Sequence, residues 1–381
     1  MADGTPHLSL EVYPRIAEIG QAAWDACGAG RNPFVSYAFL SALEDSGSVG
    51  LRTGWHPRHI ALRDAAGEIV AVAPTYAKTH SYGEYVFDHA WANAFERAGG
   101  SYYPKLQVAV PFTPVPGPRL LCQAGLPIAA LAGALVQLAD ELDCSSVHAT
   151  FCQQAEWEAL GAVGWLQRLG TQYHWENQGY ADFEGFLDAL SSRKRKGIRR
   201  ERRAAQEGLS FRALSGEALT PEVWRAFYGF YTSTVDRKWG GAYLTPEFFP
   251  LLSERLGEQV VLMIAERDGR AIAGALNLRD ETTLYGRNWG CTEDVPFLHF
   301  ELCYYQAIDY AIAHGLRRVE AGAQGEHKIQ RGYLPAPTYS AHFIRHEGLR
   351  EAVAGFLAVE REEMARAMAD MAEDGPYKHE G

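Results

Sequence analysis

A dense group of chemically versatile side chains lies between Glu320 and Tyr333. Its members are Glu320, Gln324, Glu326, His327, Lys328 and Arg331. Carboxyl and imidazole groups move protons, and amide or cationic groups stabilise negative charge that develops in a reaction. Gly322 and Gly325 lie among them and allow the backbone to approach a ligand closely. The sequence therefore predicts a site that transfers protons and stabilises an anion.

The spacing within this group leaves two interpretations open. Glu320 is predicted at the carboxyl end of a parallel strand, where ligands gather in open α/β sheets. Glu326 and His327 are adjacent, so on a helix they diverge by about 100° and need not act as a pair. His327 instead shares a face with Arg331. The alternative is that Glu326, Lys328 and Arg331 form a surface ion-pair set at a helix start.

A second polar group occupies the first turns of a predicted helix. It consists of His299, Glu301, Tyr304 and Tyr305. The N-terminal end of a helix favours anions, so His299 and Tyr305 are candidate substrate contacts and Glu301 a candidate base. Glu301 is alternatively only a helix-start acid. If it is buried, it needs a cationic partner, for which the candidates are Lys328, Arg331 and Arg287.

A third group lies in the first half of the chain. It contains Asp88, His89, Trp91, Tyr103 and Lys105. Asp88 and His89 are adjacent, and adjacent strand residues point to opposite faces, which argues against an orienting pair. We predict substrate recognition by Asp88, Trp91, Tyr103 and Lys105, and a structural role for His89.

The composition is that of a globular protein of 381 residues, with 47% hydrophobic and 22% charged residues. This length exceeds the size at which one hydrophobic core stops growing, so we expect two domains. The six cysteines have no C-x-x-C spacing, and no nucleophile-elbow, P-loop, dinucleotide-binding or metal-binding motif occurs, so no metal site is expected. No signal-peptide pattern or long apolar run occurs, which predicts a cytoplasmic protein without a transmembrane segment.

The charge is unevenly distributed. The net charge is −11, yet residues 193–203 (RKRKGIRRERR) contain eight basic residues and one acid. A helix that begins at Ser192 is predicted to carry this run. Such a run usually forms a solvated helix face, and contact with a polyanionic donor or a membrane surface is the alternative.

The elements that must position these groups are clearest in the second half. VVLMIAE and AIAGALNLR predict two strands joined by a tight turn at Asp268-Gly269, and TTLYGRNWG predicts a third. Asp294 and Pro296 then begin a helix that ends at Gly315, and LRRVEA predicts a short strand after it. A helix that connects two strands of one sheet favours a parallel pair.

The first half repeats this order. HIALRD and EIVAVAPTYA predict two strands, the sequence near EYVFD a third, residues 127–142 a helix and SSVHATF a last strand. An insertion over residues 90–120, rich in proline and aromatic residues, is predicted to be an ordered loop. We therefore predict an α/β fold with a mixed α+β sheet in each of two tandem domains, residues 1–180 and 181–381, the second ending in a helix.

Two segments carry a family resemblance: YGRNWGCTEDVPFLHFELCYYQAIDYAIAHGLRRVEAGAQGEHKIQRGYLP and YVFDHAWANAFERAGGSYYPKLQVAVPFTPVPGPRLL. They resemble the FemAB-like predicted N-acyltransferases of the GNAT superfamily, and the resemblance extends from about Asn32 to Arg345. It implies two GNAT-like acyltransferase domains, an acyl donor held where two parallel strands diverge, and transfer to an amine. Relatives with this fold use acyl-thioesters of coenzyme A or aminoacyl-tRNA.

One stretch departs from the GNAT pattern. GNAT acetyltransferases usually carry a Q/R-x-x-G-x-G/A loop whose backbone N–H groups bind pyrophosphate. This chain has GCTEDVPFL there, with one glycine, two acids and a proline. We therefore do not expect the usual pyrophosphate binding in the second half.

The resulting hypothesis is an N-acyltransferase that binds donor and acceptor between its halves. The candidate catalytic residues are Glu301, Glu320, Glu326 and His327. Lys328 and Arg331 would bind a donor phosphate or carboxylate, and Gln324 would polarise the acyl carbonyl. No tightly bound cofactor is expected; acyl-CoA is the favoured co-substrate and a small-molecule or peptide amine the acceptor. The alternatives are an aminoacyl-tRNA-dependent Fem-type transferase that binds tRNA through residues 193–203, and a non-catalytic GNAT-fold binding protein.

Overall fold

The structure is a computed structural model that describes residues 7–28, 30, 32–237, 241–322 and 325–378. It forms two compact units. The N-terminal unit comprises Met1–Gly170 and Thr338–Ala365, and the C-terminal unit comprises Thr171–Pro337 and Arg366–Gly381. No helix in the described ranges is long and apolar enough to cross a membrane.

The strands are β1 Ser9–Tyr13, β2 Trp55–Pro57, β3 His59–Arg63, β4 Ile69–Ala73, β5 Thr75–Lys78, β6 Lys105–Val108, β7 Leu121–Cys122, β8 Ser146–Cys152, β9 Leu166–Glu176, β10 Ser210–Leu214, β11 Val260–Arg267, β12 Arg270–Arg279, β13 Thr283–Cys291, β14 Arg318–Glu320 and β15 Leu334–Ile344.

The α-helices are α1 Ile16–Ile19, α2 Gln21–Ala26, α3 Tyr37–Asp45, α4 His89–Arg97, α5 Ile128–Glu141, α6 Gln154–Ala162, α7 Phe183–Ala189, α8 Ser192–Gln206, α9 Pro221–Arg237, α10 Phe248–Leu256, α11 Leu298–Phe300, α12 Gln306–Ala313 and α13 Glu347–Glu373. A π-helical segment, Glu301–Tyr305, joins α11 to α12, and 3₁₀ turns lie at Leu51–Thr53, Gly216–Ala218, Gly257–Gln259 and Glu326–Arg331.

The N-terminal unit has two sheets. One is antiparallel with the order β1-β3-β4-β7, and the other has the order β15-β8-β6-β5-β2 with β6 parallel to β8. Helix α5 covers both because Leu131, Leu135 and Leu138 recur at helical spacing and are buried against strand residues such as Leu106 and Val147.

The third strand of this unit lies later in the chain than the sequence predicts. Residues 84–88 form no strand, and β6 lies within the predicted insertion, residues 90–120, together with α4. Tyr85 has a left-handed backbone with φ of 60°, which ends any extended run, and Glu84 and Asp88 turn inward to Lys105. The prediction of a strand at EYVFD is therefore wrong.

The C-terminal unit follows the predicted order. Strands β10, β11, β12 and β13 form an antiparallel meander, β13 pairs with β14 in parallel, and β14 pairs with the C-terminal part of β9. Asp268 and Gly269 form the turn of the β11–β12 hairpin, both with positive φ. The predicted helices at the basic run and near the C-terminus are also confirmed, as α8 and α13.

The compact units divide the chain differently from the predicted boundary between residues 180 and 181. Residues Thr338–Ala365 belong to the N-terminal unit because β15 pairs with β8 from Tyr339 to Ile344. Helix α13 also buries Val353 and Leu357 in a cluster with Trp91.

Candidate functional site

The parallel strands β13 and β14 diverge in the C-terminal unit. They pair over only three positions, the last of which is Tyr285 with Glu320, and β14 ends there while β13 continues to Cys291. Gly286 follows this pair, and a Cβ at Gly286 would lie 3.2 Å from the carbonyl oxygen of Glu320. The absence of a side chain at Gly286 therefore allows β13 and β14 to approach closely at this last pair. Beyond it, no strand among the described residues pairs with this edge of β13.

Lys328 lies at this point of divergence. Its Nζ donates hydrogen bonds to the carbonyl oxygens of Ala321 and Gly322, which directly follow β14. The side chain is buried, and burial lowers the pKa of Lys328 to about 8. Within the described ranges no carboxylate lies within ion-pair distance of its Nζ. Since an ammonium group has three N–H donors and the described residues accept from two of them, the third can be donated to a ligand.

His327 and an aromatic group lie beside Lys328. The imidazole Nε2 lies 3.1 Å from the Tyr304 hydroxyl, and the ring also contacts Phe300 and His299, with His299 packed on Trp289. His327 is exposed at its outer side, and partial desolvation lowers its pKa. A neutral imidazole at neutral pH is suited to accept a proton.

The π-helical segment places Glu301 in the interior instead of the site. Glu301 is fully buried and accepts hydrogen bonds from the Arg202 guanidinium and from the side-chain amides of Gln206 and Gln306. In these contacts the cation is therefore Arg202, instead of the expected Lys328, Arg331 or Arg287. Arg202 Nε also donates to Oε2 of Glu301, and these contacts anchor α8 to the helical segment.

Arg331 and Tyr305, two more of the predicted site residues, converge on Glu201. Arg331 donates from Nε and Nη2 to the two oxygens of Glu201, from Nη1 to the His327 carbonyl, and lies 3.6 Å above the Phe300 ring. The Tyr305 hydroxyl donates to the same carboxylate. Arg331 thus positions the segment that carries His327 and Lys328.

Glu320 lies on the opposite face of the sheet from Lys328. Val319 belongs to the core that contains Tyr304, so the adjacent Glu320 points the other way, beside His174 on β9. Burial raises the pKa of Glu320 to about 8, and its Oε2 has no hydrogen-bond partner among the described residues, with His174 Nε2 3.8 Å away. Alternation along β14 therefore separates two groups that are neighbours in the predicted site.

Glu326 and Gln324 are the other predicted members of this group. Glu326 begins the 3₁₀ turn and is exposed. Gln324 lies outside the described residues.

The predicted site residues of the N-terminal unit form a closed ion-pair network. Lys105 is fully buried and bonds to Asp88, to Glu84 at 2.7 Å and to Ser81 at 2.8 Å. Burial alone would raise the pKa of Asp88, but the adjacent Lys105 ammonium holds it well below its usual value. Lys78, the cross-strand neighbour of Lys105, lies 3.7 Å from Glu84.

Trp91 and Tyr103 flank this network. Trp91 is buried against the ring of His342, which in turn lies 2.7 Å from His148 between Nδ1 atoms. The Tyr103 hydroxyl lies 2.8 Å from Ser81 Oγ, and the ring borders a cavity of about 440 Å³. Trp91 therefore contributes to the core, whereas Tyr103 reaches a surface cavity.

Sequence reasoning missed the partners that hold these groups. Glu84, Glu201 and Arg202 each form ion pairs with predicted site residues. Arg202 is one of eight basic residues in a run, and nothing in its local sequence distinguishes it from the others.

Comparison with known proteins shows the family. Residues 15–379 match the FemAB-like family, described as peptidoglycan biosynthesis/recognition, and the chain belongs to this family. No curated protein sequence matches the chain.

The fold is shared with solved structures at low sequence identity. FemX has 12% identity and a TM-score of 0.54, with 90% of this chain and 100% of FemX covered. The C-terminal domain of a putative lysylphosphatidylglycerol synthetase from Agrobacterium fabrum has 12% identity and a TM-score of 0.53, with 90% and 96% covered. A tandem GNAT protein from the clavulanic acid biosynthesis pathway has 12% identity and a TM-score of 0.49, with 89% and 98% covered. The predicted FemAB-like family and the mixed α/β fold are confirmed.

Proposed function

We propose that the protein is an N-acyltransferase whose reaction centre lies in the C-terminal unit, where β13 and β14 diverge. The observation that carries this proposal is the buried ammonium of Lys328. Among the described residues it donates hydrogen bonds to the carbonyls of Ala321 and Gly322 and has no carboxylate partner, and it lies beside the His327–Tyr304 pair. A buried cation without a carboxylate partner costs free energy, so its retention favours a role with a substrate.

The geometry supports a direct displacement at an acyl carbon. The amine nitrogen of the acceptor forms a bond to the carbonyl carbon of the donor, and the carbonyl oxygen becomes an oxyanion that accepts a hydrogen bond from Lys328. In the tautomer that donates from Nε2 to Tyr304, Nδ1 of His327 accepts the proton of the attacking amine. The oxyanion then re-forms the carbonyl, the bond to the leaving sulfur or oxygen breaks, and His327 returns the proton to the leaving group.

Acyl-CoA is the favoured donor, and a small-molecule or peptide amine is the acceptor. Aminoacyl-tRNA is the second candidate donor, since its ester carbonyl would undergo the same displacement. The exposed arginines of α8 favour this candidate, and one of the similar structures is a putative lysylphosphatidylglycerol synthetase.

The test begins with the thermal unfolding temperature in the presence of coenzyme A, several acyl-CoAs or bulk aminoacyl-tRNA. Ligand at a hundred times its dissociation constant stabilises a protein by about 2.7 kcal/mol, which is readily measured. The stabilising donor is then incubated with a panel of amines, and acylated products are detected by mass spectrometry. Product formation that requires Lys328 supports the proposal, whereas a bound donor that is never transferred to any amine argues for a binding protein.

A further inference from the structure

Helix α8 carries its basic residues on different faces. Arg195 pairs with Asp188 at 2.5 Å, Arg199 with Glu184, and Arg202 with Glu301 and Asp309. These three arginines recur at i, i+4 and i+7 and therefore share one face. Their charges are neutralised by neighbouring acids and are not available to a ligand.

Four of the five remaining cations of the helix line a cavity of about 960 Å³. They are Arg193, Lys194, Lys196 and Arg200. No acid in the described part of the chain lies within ion-pair distance of any of the four. Arg193, Lys196 and Arg200 are spaced at i, i+3 and i+7, so they form a second face that is basic and unpaired.

The cavity contains one carboxylate, and that carboxylate is already neutralised. Glu201 lines the cavity, but Arg331 pairs with both of its oxygens and the Tyr305 hydroxyl donates to it. An anion that enters the cavity therefore meets four uncompensated positive charges.

Two further residues make the cavity suitable for a ligand. Gly197 lies between the cations, and a Cβ there would meet no atom within 4 Å, so the helix backbone is open to close approach. Gln330 contributes a buried Oε1 that has no hydrogen-bond partner among the described residues. A ligand that carries a hydroxyl or amide donor beside its anionic part would satisfy this oxygen.

The usual GNAT location for a pyrophosphate is less suitable. The residues between β13 and α11 include Glu293 and Asp294, and Glu293 is bound by Arg267 and Arg270. These acidic residues disfavour phosphate binding there.

We propose that the cavity beside α8 binds a small molecule that carries a diphosphate ester, as in a nucleotide-linked donor or acceptor. Four cations match the two to three negative charges of a diphosphate, and the volume is within the range of small-molecule sites. The assignment of this molecule as a co-substrate rests on the proposed N-acyltransferase function. Binding itself does not depend on it.

Isothermal titration calorimetry tests the site with inorganic pyrophosphate, coenzyme A and UDP-N-acetylglucosamine. We expect at least one of them to bind, and the double variant Arg193→Gln/Arg200→Gln to weaken that binding by about tenfold or more because two charge-assisted contacts are lost. Coenzyme A as the tighter ligand assigns the site to the donor, and the UDP-sugar assigns it to a nucleotide-linked acceptor. The matched control, Arg195→Gln/Arg199→Gln, removes the same charge from the paired face and should change the dissociation constant less than twofold.

Equal weakening by both double variants would overturn the proposal, because it would show a general charge effect. Binding of tRNA with no binding of the three small molecules would also overturn it. An acyl thioester of N-acetylcysteamine, which has no phosphate, separates this proposal from the proposed function. Complete absence of transfer from that thioester in the wild-type protein would contradict the transferase while leaving the binding result valid.

Discussion

Lys105 in the N-terminal unit and Lys328 in the C-terminal unit are both buried but have opposite environments. Lys105 contacts two carboxylates and a hydroxyl; burial alone would lower its pKa, but Glu84 and Asp88 raise it above the usual value. Among the described residues, the Lys328 ammonium donates hydrogen bonds to backbone carbonyls and has no carboxylate partner, and burial lowers its pKa to about 8. Under the proposed function, Lys105 stabilises the fold, whereas Lys328 is kept at a cost to stability and is available to a substrate.

The largest expected effect is on stability, at Lys105. Replacement by Met leaves Glu84 and Asp88 buried without their main cation, which should lower the free energy of unfolding by about 3–5 kcal/mol. Chemical denaturation measures this change. The triple variant Lys105→Met/Glu84→Gln/Asp88→Asn should recover part of the loss, because it also removes the uncompensated charges. An unchanged unfolding midpoint in the single variant would contradict a structural role for this network.

Lys328 should show the reverse behaviour. Lys328→Met should reduce acyl transfer by about 10²–10³-fold, as expected for the loss of an oxyanion donor. The free energy of unfolding should stay the same or rise by about 1–2 kcal/mol, because a buried charge without an ionic partner is removed. Transfer kinetics and denaturation of the same preparation provide both values. Loss of stability with retained transfer would show that Lys328, like Lys105, has a structural role.

The pH dependence of kcat/KM tests the role of His327. The His327 pKa is lowered, so the neutral base is lost only as the pH falls below its ordinary value of about 6.5, and the Lys328 ammonium is lost as the pH rises through about 8. We therefore expect a bell-shaped profile of kcat/KM. His327→Asn should lower kcat/KM by about 10²-fold and remove the acid limb. The exposed His314, changed to Asn, is the matched control; an acid limb that persists in His327→Asn excludes His327 as the base.

The smallest effect is expected at Glu320. Its carboxyl faces away from Lys328 and, with a pKa of about 8, is neutral at pH 7. Glu320→Gln preserves the shape and the neutral state, so transfer should fall by less than about threefold, within the range of changes that remove no transition-state contact. A loss of two orders of magnitude would indicate that the catalytic base is Glu320, on the opposite face of the sheet from Lys328.

Local signals predicted much of the C-terminal unit. The Asp268-Gly269 turn, the helix at Ser192 and the parallel β13–β14 pair each follow from short-range patterns that the structure confirms. The third strand of the N-terminal unit was not predictable in the same way. Residues 84–88 have the aromatic composition of a strand, but two of their carboxylates are drawn to a lysine that follows 17 and 21 residues later.

The composition of the site depends on contacts between distant residues. Glu301 obtains its cation from Arg202, 99 residues earlier, and Arg331 obtains its anion from Glu201, 130 residues earlier. By contrast, the separation of Glu320 from Lys328 follows from strand alternation at Val319. That signal was present in the sequence.

The infrared carbonyl band of a bound acyl thioester with a ¹³C-labelled carbonyl reports whether Lys328 donates a hydrogen bond to the acyl oxygen. If Lys328 donates a hydrogen bond to the acyl oxygen, the band should shift to lower frequency in the wild-type protein relative to the free thioester, and the shift should disappear in Lys328→Met. An equal shift in both proteins would show that another group polarises the carbonyl, and the account of the reaction centre would be wrong.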